Sequence, residues 1–156
     1  MSKWQKLVLA LLLPLSVGGI GGLVTARNVE EWYPALNKPW FTPPNALFGP
    51  VWTILYLLMG ISFYRILLKP PSDGRRMAVF IFCLQLFFNF WWSLIFFRFH
   101  LTGLALIDII LLWLLIMVMI RQFYRVDHWA ANIQWPYLVW VTFAMVLNFW
   151  IWRLNL

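Results

Sequence analysis

Glu31-Trp-Tyr-Pro-Ala-Leu-Asn-Lys-Pro-Trp-Phe-Thr-Pro-Pro44 is the stretch around which this chain must be organised. Pro34, Pro39, Pro43 and Pro44 fix φ, delete amide donors and push the residues before them into extended geometry, so the segment is stiff without being helical. Trp32, Tyr33, Trp40 and Phe41 add large rigid faces at little entropic cost. An interfacial aromatic belt accounts for any one of these rings, because Trp and Tyr collect at headgroup depth. So many rings together, on a connection longer than most, argue instead for a functional lid, expected over residues 26–47.

Both flanks of the lid are long and greasy. With 63% hydrophobic, 20% aromatic and 11% charged residues, the chain lies far outside the globular average and reads as an integral membrane protein. The expected fold is all-α: one domain over residues 1–156, a bundle of five transmembrane helices with a structured, proline-rich loop between the first and second. The spans are expected at 7–25, 48–68, 77–97, 101–120 and 129–152. A basic start followed by an apolar run also describes a signal peptide. No A-x-A cleavage site follows, however, and the run is long enough to span, so a retained helix is expected. Cys83 stands alone, which excludes an internal disulfide.

The net charge of +7 is carried by clusters at the ends of apolar runs, not by a stripe of the kind that binds nucleic acid. The amino terminus with the second and fourth connections holds Lys3, Lys6, Arg65, Lys69, Arg75, Arg76, Arg121 and Arg125. The lid side holds Arg27, Lys38, Arg98 and Arg153. This asymmetry places the amino terminus in the cytoplasm of a bacterial cell membrane; in an outer membrane the inference lapses.

Inside the spans, polar and aromatic residues fall in register. Trp52 and Tyr56 share a face of the second span. Gln85, Asn89, Trp92 and Phe96 form a stripe on the third, and Tyr137, Trp140, Ala144 and Asn148 on the fifth. Carboxamides in hydrocarbon need partners, so these stripes must face inward. Asp108 in the fourth span is costly there and is either a functional group or a hydrogen-bonded anchor. Gly18, Gly19, Gly21 and Gly22 allow close approach to the first helix, with plain helix packing as the expected use, and Pro14 should bend that helix. Inward aromatics, amides and a stiff cap describe a pocket for a large, flat, mostly apolar molecule. Lys38, Arg27 and Arg98 lie on the side where they would meet ligand carboxylates, or else snorkel to lipid phosphates. Bis-histidine haem ligation fails, since His100 and His128 fall on opposite faces of the membrane; one-sided ligation by His100 stays as a weak candidate. No metal-ligand spacing, phosphate loop, nucleophile elbow or catalytic carboxylate pair is present.

Trp32-Tyr33, then Leu36-x-Lys38-Pro39-x-x-Thr42-Pro43-Pro44, Gly49-Pro50-Val51-Trp52-x-x-Leu55-Tyr56-x-x-Met59-Gly60, Gln85-Leu86-x-x-Asn89-x-x-Trp92-Ser93-x-x-Phe96-Phe97, and Pro136-Tyr137-Leu138-x-Trp140-x-x-Phe143-Ala144-x-x-Leu147-Asn148 resemble the translocator protein family, the tryptophan-rich sensory proteins or peripheral benzodiazepine receptor homologues. The resemblance implies a five-helix membrane bundle, usually a homodimer. Its pocket would bind protoporphyrin IX, haem and synthetic isoquinoline carboxamide or benzodiazepine-type ligands, with no cofactor required. It matches Tyr33, Trp52, Asn89 and Trp140 to ligand-contact positions, Ala144 and Leu147 to the pocket wall, and Asp108 to the family's acidic residue. With Trp40, Phe48, Tyr56 and Trp92, these complete the candidate ligand-binding set. The cholesterol pattern of animal members needs a Tyr where this chain has Phe149, which puts sterol binding in doubt. Leu104 stands where animal members place a pocket Trp.

Three functions compete: a porphyrin receptor acting in tetrapyrrole sensing, regulation or transport under oxygen, light or oxidative stress; a light-dependent porphyrin-degrading enzyme with Trp52 and Trp140 as electron donors; and a sterol- or lipid-binding or purely structural bundle.

Overall fold

The helices overrun the apolar runs that predict them. The computed structural model describes residues 1–156 and contains five helical crossings long and apolar enough to span a membrane, with no strand. Helix α1 covers Lys3–Glu31, α2 Asn45–Leu68, α3 Asp73–Ser93, α4 Thr102–Val126, α5 His128–Asn132 and α6 Trp135–Leu154. At 1.5 Å per residue α1 is about 44 Å long, well beyond a hydrocarbon core of about 30 Å. Its polar ends are held by local chemistry. Ser2 Oγ accepts from the Gln5 amide (3.2 Å) while Gln5 Oε1 accepts from the Ser2 amide (2.8 Å), a reciprocal cap. Arg27 pairs with Glu31 one turn away at the other end. The irregular part of the lid is therefore shorter than expected, lying between Glu31 and Asn45.

The fifth crossing departs further from expectation, being two helices. Pro136 has no amide to donate and its ring crowds the carbonyl four residues earlier, so α5 stops at Asn132 and α6 restarts with Pro136 in its first turn. At the lid end of α3 the ladder widens into a π turn over Leu94–Arg98 and the chain reverses at His100, whose φ is 59°. Pro14 makes itself felt in packing. It cannot donate to the Ala10 carbonyl, and α2 sets Gly60 against that oxygen so closely that an added Cβ would stand 2.9 Å away.

In the bundle α1 lies along α2, α3 along α4, and α4 along α6, while the π turn returns to touch α1. Rings of α2 and α6 close the circle, Phe48 against Trp140 (6.1 Å) and Trp52 against Tyr137 (6.4 Å). The half away from the lid is solid: Phe63 stacks on Phe82 (4.1 Å, 7°), Phe82 on Phe123 (6.1 Å), and Met59, Ile66, Ile116 and Met119 are sealed around them. Beyond it, Asp127 caps α5 through the Ala130 amide (2.9 Å) and receives Arg65 (3.0 Å) and Lys69 (2.9 Å). Burial alone would raise this carboxyl, but the bonds from Lys69, Ala130 and Arg65 outweigh it and bring its pKa down to about 2.

Candidate functional site

The lid is built by its own carbonyls. With four prolines its backbone cannot form a regular ladder, and Lys38 substitutes for one: its Nζ donates to the carbonyls of Tyr33 (2.9 Å), Pro34 (3.1 Å) and Leu36 (3.0 Å) and lies 5.0 Å from the centre of the Tyr33 ring. All three ammonium hydrogens are consumed, so Lys38 is a staple of the lid and not the free cation expected for a ligand carboxylate. Arg27 is likewise held by Glu31, and Arg98 is exposed. The lid is tied down at its other edge by the end of α6, where the Asn37 amide donates to Asn155 Oδ1 (3.0 Å) and Asn155 Nδ2 returns a bond to the Asn37 carbonyl (2.8 Å).

From this frame a single 3-10 turn, Tyr33–Ala35, drives the Tyr33 ring into the bundle, where it is 2% exposed among Phe48 (6.1 Å), Phe96 (6.3 Å) and Phe97 (5.7 Å). Burial raises its phenol to about 12, so it is a neutral hydroxyl at any physiological pH. Phe41 packs against Phe143 of α6 (6.2 Å). Trp40, its neighbour, points away and is 95% exposed.

Two chambers lie beneath. The larger, about 550 Å³, opens between α1, α2 and α3. The smaller, about 20 Å³, lies between the lid, α2, the end of α3 and α6. Tyr33, Phe48, Trp52, Trp92 and Phe97 border both and form an aromatic partition, in which Trp52 stacks on Tyr56 (5.6 Å) and lies 6.1 Å from Trp92. The larger chamber owes its width to α1, which offers it Gly18, Gly19, Gly21 and Gly22. Gly18 leaves room for the Tyr56 ring, which a Cβ there would approach to 2.3 Å, whereas a Cβ on Gly22 meets nothing within 4 Å. These glycines border open space as well as a neighbouring side chain, so packing between helices is only part of their use.

The inward stripes of α3 and α6 meet as one directional chain of hydrogen bonds. Tyr56 Oη donates to Asn89 Oδ1 (2.6 Å), Asn89 Nδ2 to Tyr137 Oη (2.9 Å), and Tyr137 Oη to Gln85 Oε1 (2.8 Å). Asn89 thereby finds partners on two other helices, while Gln85 accepts from Tyr137 of α6 and its buried Nε2 has no partner. Nearer the lid, Trp92 Nε1 donates to Asn148 Oδ1 (3.0 Å), whose Nδ2 donates to the Thr102 carbonyl (2.8 Å).

The candidate residues thus divide. Tyr56 and Asn89 border the larger chamber, Trp140, Ala144 and Leu147 the smaller, and Tyr33, Phe48, Trp52 and Trp92 both. Trp40 and Asp108 border neither; Asp108 is buried on α4 with one carboxylate oxygen unpartnered. His100 also stands outside, stacked on Trp32 (4.0 Å) with Nε2 3.0 Å from Asn28 Oδ1. Leu104 is 49% exposed and belongs to no wall. Thr25, Glu30, Asn45, Thr53 and Ser93, which give the larger chamber its polar rim, escaped the sequence reading. Thr25 carried a signal, lying one turn beyond Gly21 and bonding back to its carbonyl (2.8 Å).

A chamber of this volume, walled by rings on one side and glycine backbone on the other, suits a drug-sized planar molecule. The sequence model described as the TspO/MBR family matches residues 10–153. A tryptophan-rich protein TspO of Archaeoglobus fulgidus is 41% identical over 150 residues, covering 96% of this chain and 97% of its own. The tryptophan-rich sensory protein of Cereibacter sphaeroides is 37% identical, covering 81% and 78% respectively. The translocator protein of Homo sapiens is 35% identical, covering 87% and 84%.

Proposed function

This chain belongs to the TspO/MBR family and is an integral, multi-pass membrane protein, and from that premise we propose that it is a membrane receptor for porphyrins, protoporphyrin IX and haem among them, and for related flat apolar ligands. The observation that carries this reading is the larger chamber: about 550 Å³ faced by Trp52, Trp92 and Phe97 on one side and by the glycines of α1 on the other. A planar macrocycle gains ring-to-ring contact on the first surface and lies against the second beside Gly19 and Gly22, where a Cβ would meet nothing within 4 Å. The Tyr56–Asn89–Tyr137–Gln85 chain fixes the floor, so the site is shaped before the ligand arrives and less ordering opposes binding. The lid end faces away from the cytoplasm in this reading, with the basic far end inside, and the receptor couples tetrapyrrole supply to light, oxygen or oxidative stress.

The test is titration of the purified protein in lipid nanodiscs with protoporphyrin IX in the dark, followed by indole fluorescence. Saturable quenching that weakens about tenfold or more in Trp52→Ala is expected, on the scale of one lost aromatic contact surface. Quenching that never saturates would end the proposal. A photo-oxidative reading has one observation in its favour, that Trp52 borders both chambers with Trp92 6.1 Å away. Illumination of the same complex distinguishes it: a defined product that vanishes in Trp52→Phe while affinity is kept supports catalysis.

A further inference from the structure

At the end of the bundle away from the lid, two cations share one carboxylate. Asp127 takes Nη2 of Arg65 at 3.0 Å and Nζ of Lys69 at 2.9 Å, and its side chain is 3% exposed where theirs are 41% and 40%. The negative group is therefore seated behind the positive ones, and two cations against one carboxylate leave the outward face with one unit of positive charge. Arg65 grips the carboxylate by one edge of its guanidinium: Nε and Nη2 both reach Oδ1 (3.3 Å), and Nη2 also reaches Oδ2. The neighbouring edge, with both hydrogens of Nη1, takes no part in these bonds, and such an edge matches two oxygens of a phosphate. Trp129, half exposed, covers a face of the same guanidinium, its ring centre 4.7 Å from Cζ. The helix that carries Trp129 is pinned to α2, because Ser62 Oγ donates to the Ala130 carbonyl (2.6 Å), and to Asp127 through the Ala130 amide (2.9 Å). Both cations and the indole are thus fixed in advance, unlike Arg121 and Arg125, which stand exposed at the same end and hold no carboxylate.

We infer that this cluster is a binding site for the phosphate of an anionic phospholipid, received by the free edge of Arg65 and by Lys69, with Asp127 holding both from behind. Its depth selects a lipid over a soluble phosphate. Helix α2 has 24 residues and is about 36 Å long, so its last turn, Arg65 to Leu68, passes a hydrocarbon core of about 30 Å and reaches the headgroups. Leu68 and Trp129, both exposed, offer apolar surface at that level for the glycerol and the first methylenes. Its charge selects the headgroup. A phosphodiester without an amine brings the one negative charge that completes the cluster, whereas a choline headgroup carries a cation into a site that already has one in excess. The lid end has no counterpart, since Arg27 is matched singly by Glu31 and Lys38 is spent on carbonyls. A lipid held here bridges α2 to the start of the divided fifth crossing, at the opposite end from both chambers, and the inference does not depend on the receptor reading.

Native mass spectrometry of the delipidated full chain, released from detergent micelles with palmitoyl-oleoyl phosphatidylglycerol or phosphatidylcholine added, measures the affinity of the first lipid bound. The wild type is expected to bind phosphatidylglycerol about tenfold more tightly than phosphatidylcholine, the scale of one charge-assisted phosphate contact. Arg65→Lys keeps the charge and loses the fork, while Lys69→Gln removes one cation and leaves Arg65 on Asp127. In each the ratio is expected to fall to about threefold or less. Arg125→Gln removes a charge from the same end and should leave the ratio as it was. Thermal midpoints without lipid show which variants are folded, and Lys69→Gln carries the test if Arg65→Lys is not. Equal affinity of the wild type for the two lipids overturns the site, as does a ratio that neither substitution lowers. A ratio lowered as much by Arg125→Gln as by the other two reveals only the diffuse field of a basic end and overturns it equally. Displacement of the lipid by equimolar glycerophosphoglycerol, the same headgroup without acyl chains, overturns the lipid as occupant.

Discussion

The two halves of this bundle draw on the same alphabet and build opposite things. Away from the lid, Phe63, Phe82 and Phe123 stack nearly parallel among fully buried aliphatic side chains. Toward the lid, Tyr33, Trp52, Trp92 and Phe97 are at least as bulky, yet they stand around two chambers. The difference comes from what faces the rings. In the solid half each ring meets another ring or a branched aliphatic chain; around the larger chamber the rings face α1 where four of its residues are glycine, and beside Gly19 and Gly22 no side chain fills the space. Aromatic richness therefore does not make a cavity here. Small residues opposite the aromatics do.

Breaking the solid half should have the largest effect on stability. Phe82→Ala removes the middle ring of the stack and is expected to cost about 3–5 kcal/mol, read as a lowered thermal midpoint in detergent; a cost under 1 kcal/mol would mean that half is not solid. Tyr137→Phe, at the border of the halves, deletes one hydroxyl and leaves both Asn89 Nδ2 and Gln85 Oε1 without their partner. About 1–3 kcal/mol is expected from thermal unfolding.

The ion clamp of the solid half sharpens the comparison through pH. The carboxyl of Asp127 titrates at about 2 when folded and at about 3.9 in an unfolded chain. Its contribution is therefore complete above pH about 4 and fades as the pH falls from about 4 to about 2. The thermal midpoint of the wild type is expected to drop across that window, and Asp127→Asn, lower at neutral pH by about 1–2 kcal/mol because its cationic partners are 41% and 40% exposed, should lose that part of the drop.

The hollow half should tolerate what the solid half cannot. Gly22→Ala enters open space and exchanges a poor helix former for the best one, so stability is expected to hold or rise by up to about 1 kcal/mol. Gly22→Leu at the same site should keep the melting midpoint while lowering porphyrin affinity. Gly18→Ala, four residues away, is expected to destabilise, because its new methyl meets the Tyr56 ring. Smallest of all, Trp40→Ala on the exposed crest of the lid should change stability by less than about 0.5 kcal/mol.

Much of this was legible in the residues because the bilayer allows few solutions. Apolar runs of spanning length had to be helices, since their backbone groups have no water to bond. For the same reason Gln85, Asn89 and Asn148 had to turn inward, and all three do. The break before α6 was legible too, in Pro136, but the apolar run concealed it. Trp40 and Asp108 mark where pattern reading stopped: periodicity says nothing about a non-helical lid, and burial of a carboxylate does not say which face of the bundle buries it.

Sequence by itself determined the five crossings, the stiffness of the lid and the inward stripes, because each follows from local covalent geometry or from the cost of a polar group in hydrocarbon. Only the tertiary structure decided that Lys38 closes on its own loop, that the glycines of α1 border the larger chamber opposite a wall of rings, and that Tyr33 and Trp140, distant in the chain, line one small chamber. Those facts depend on distances between residues far apart in the chain, which the order of the residues does not contain.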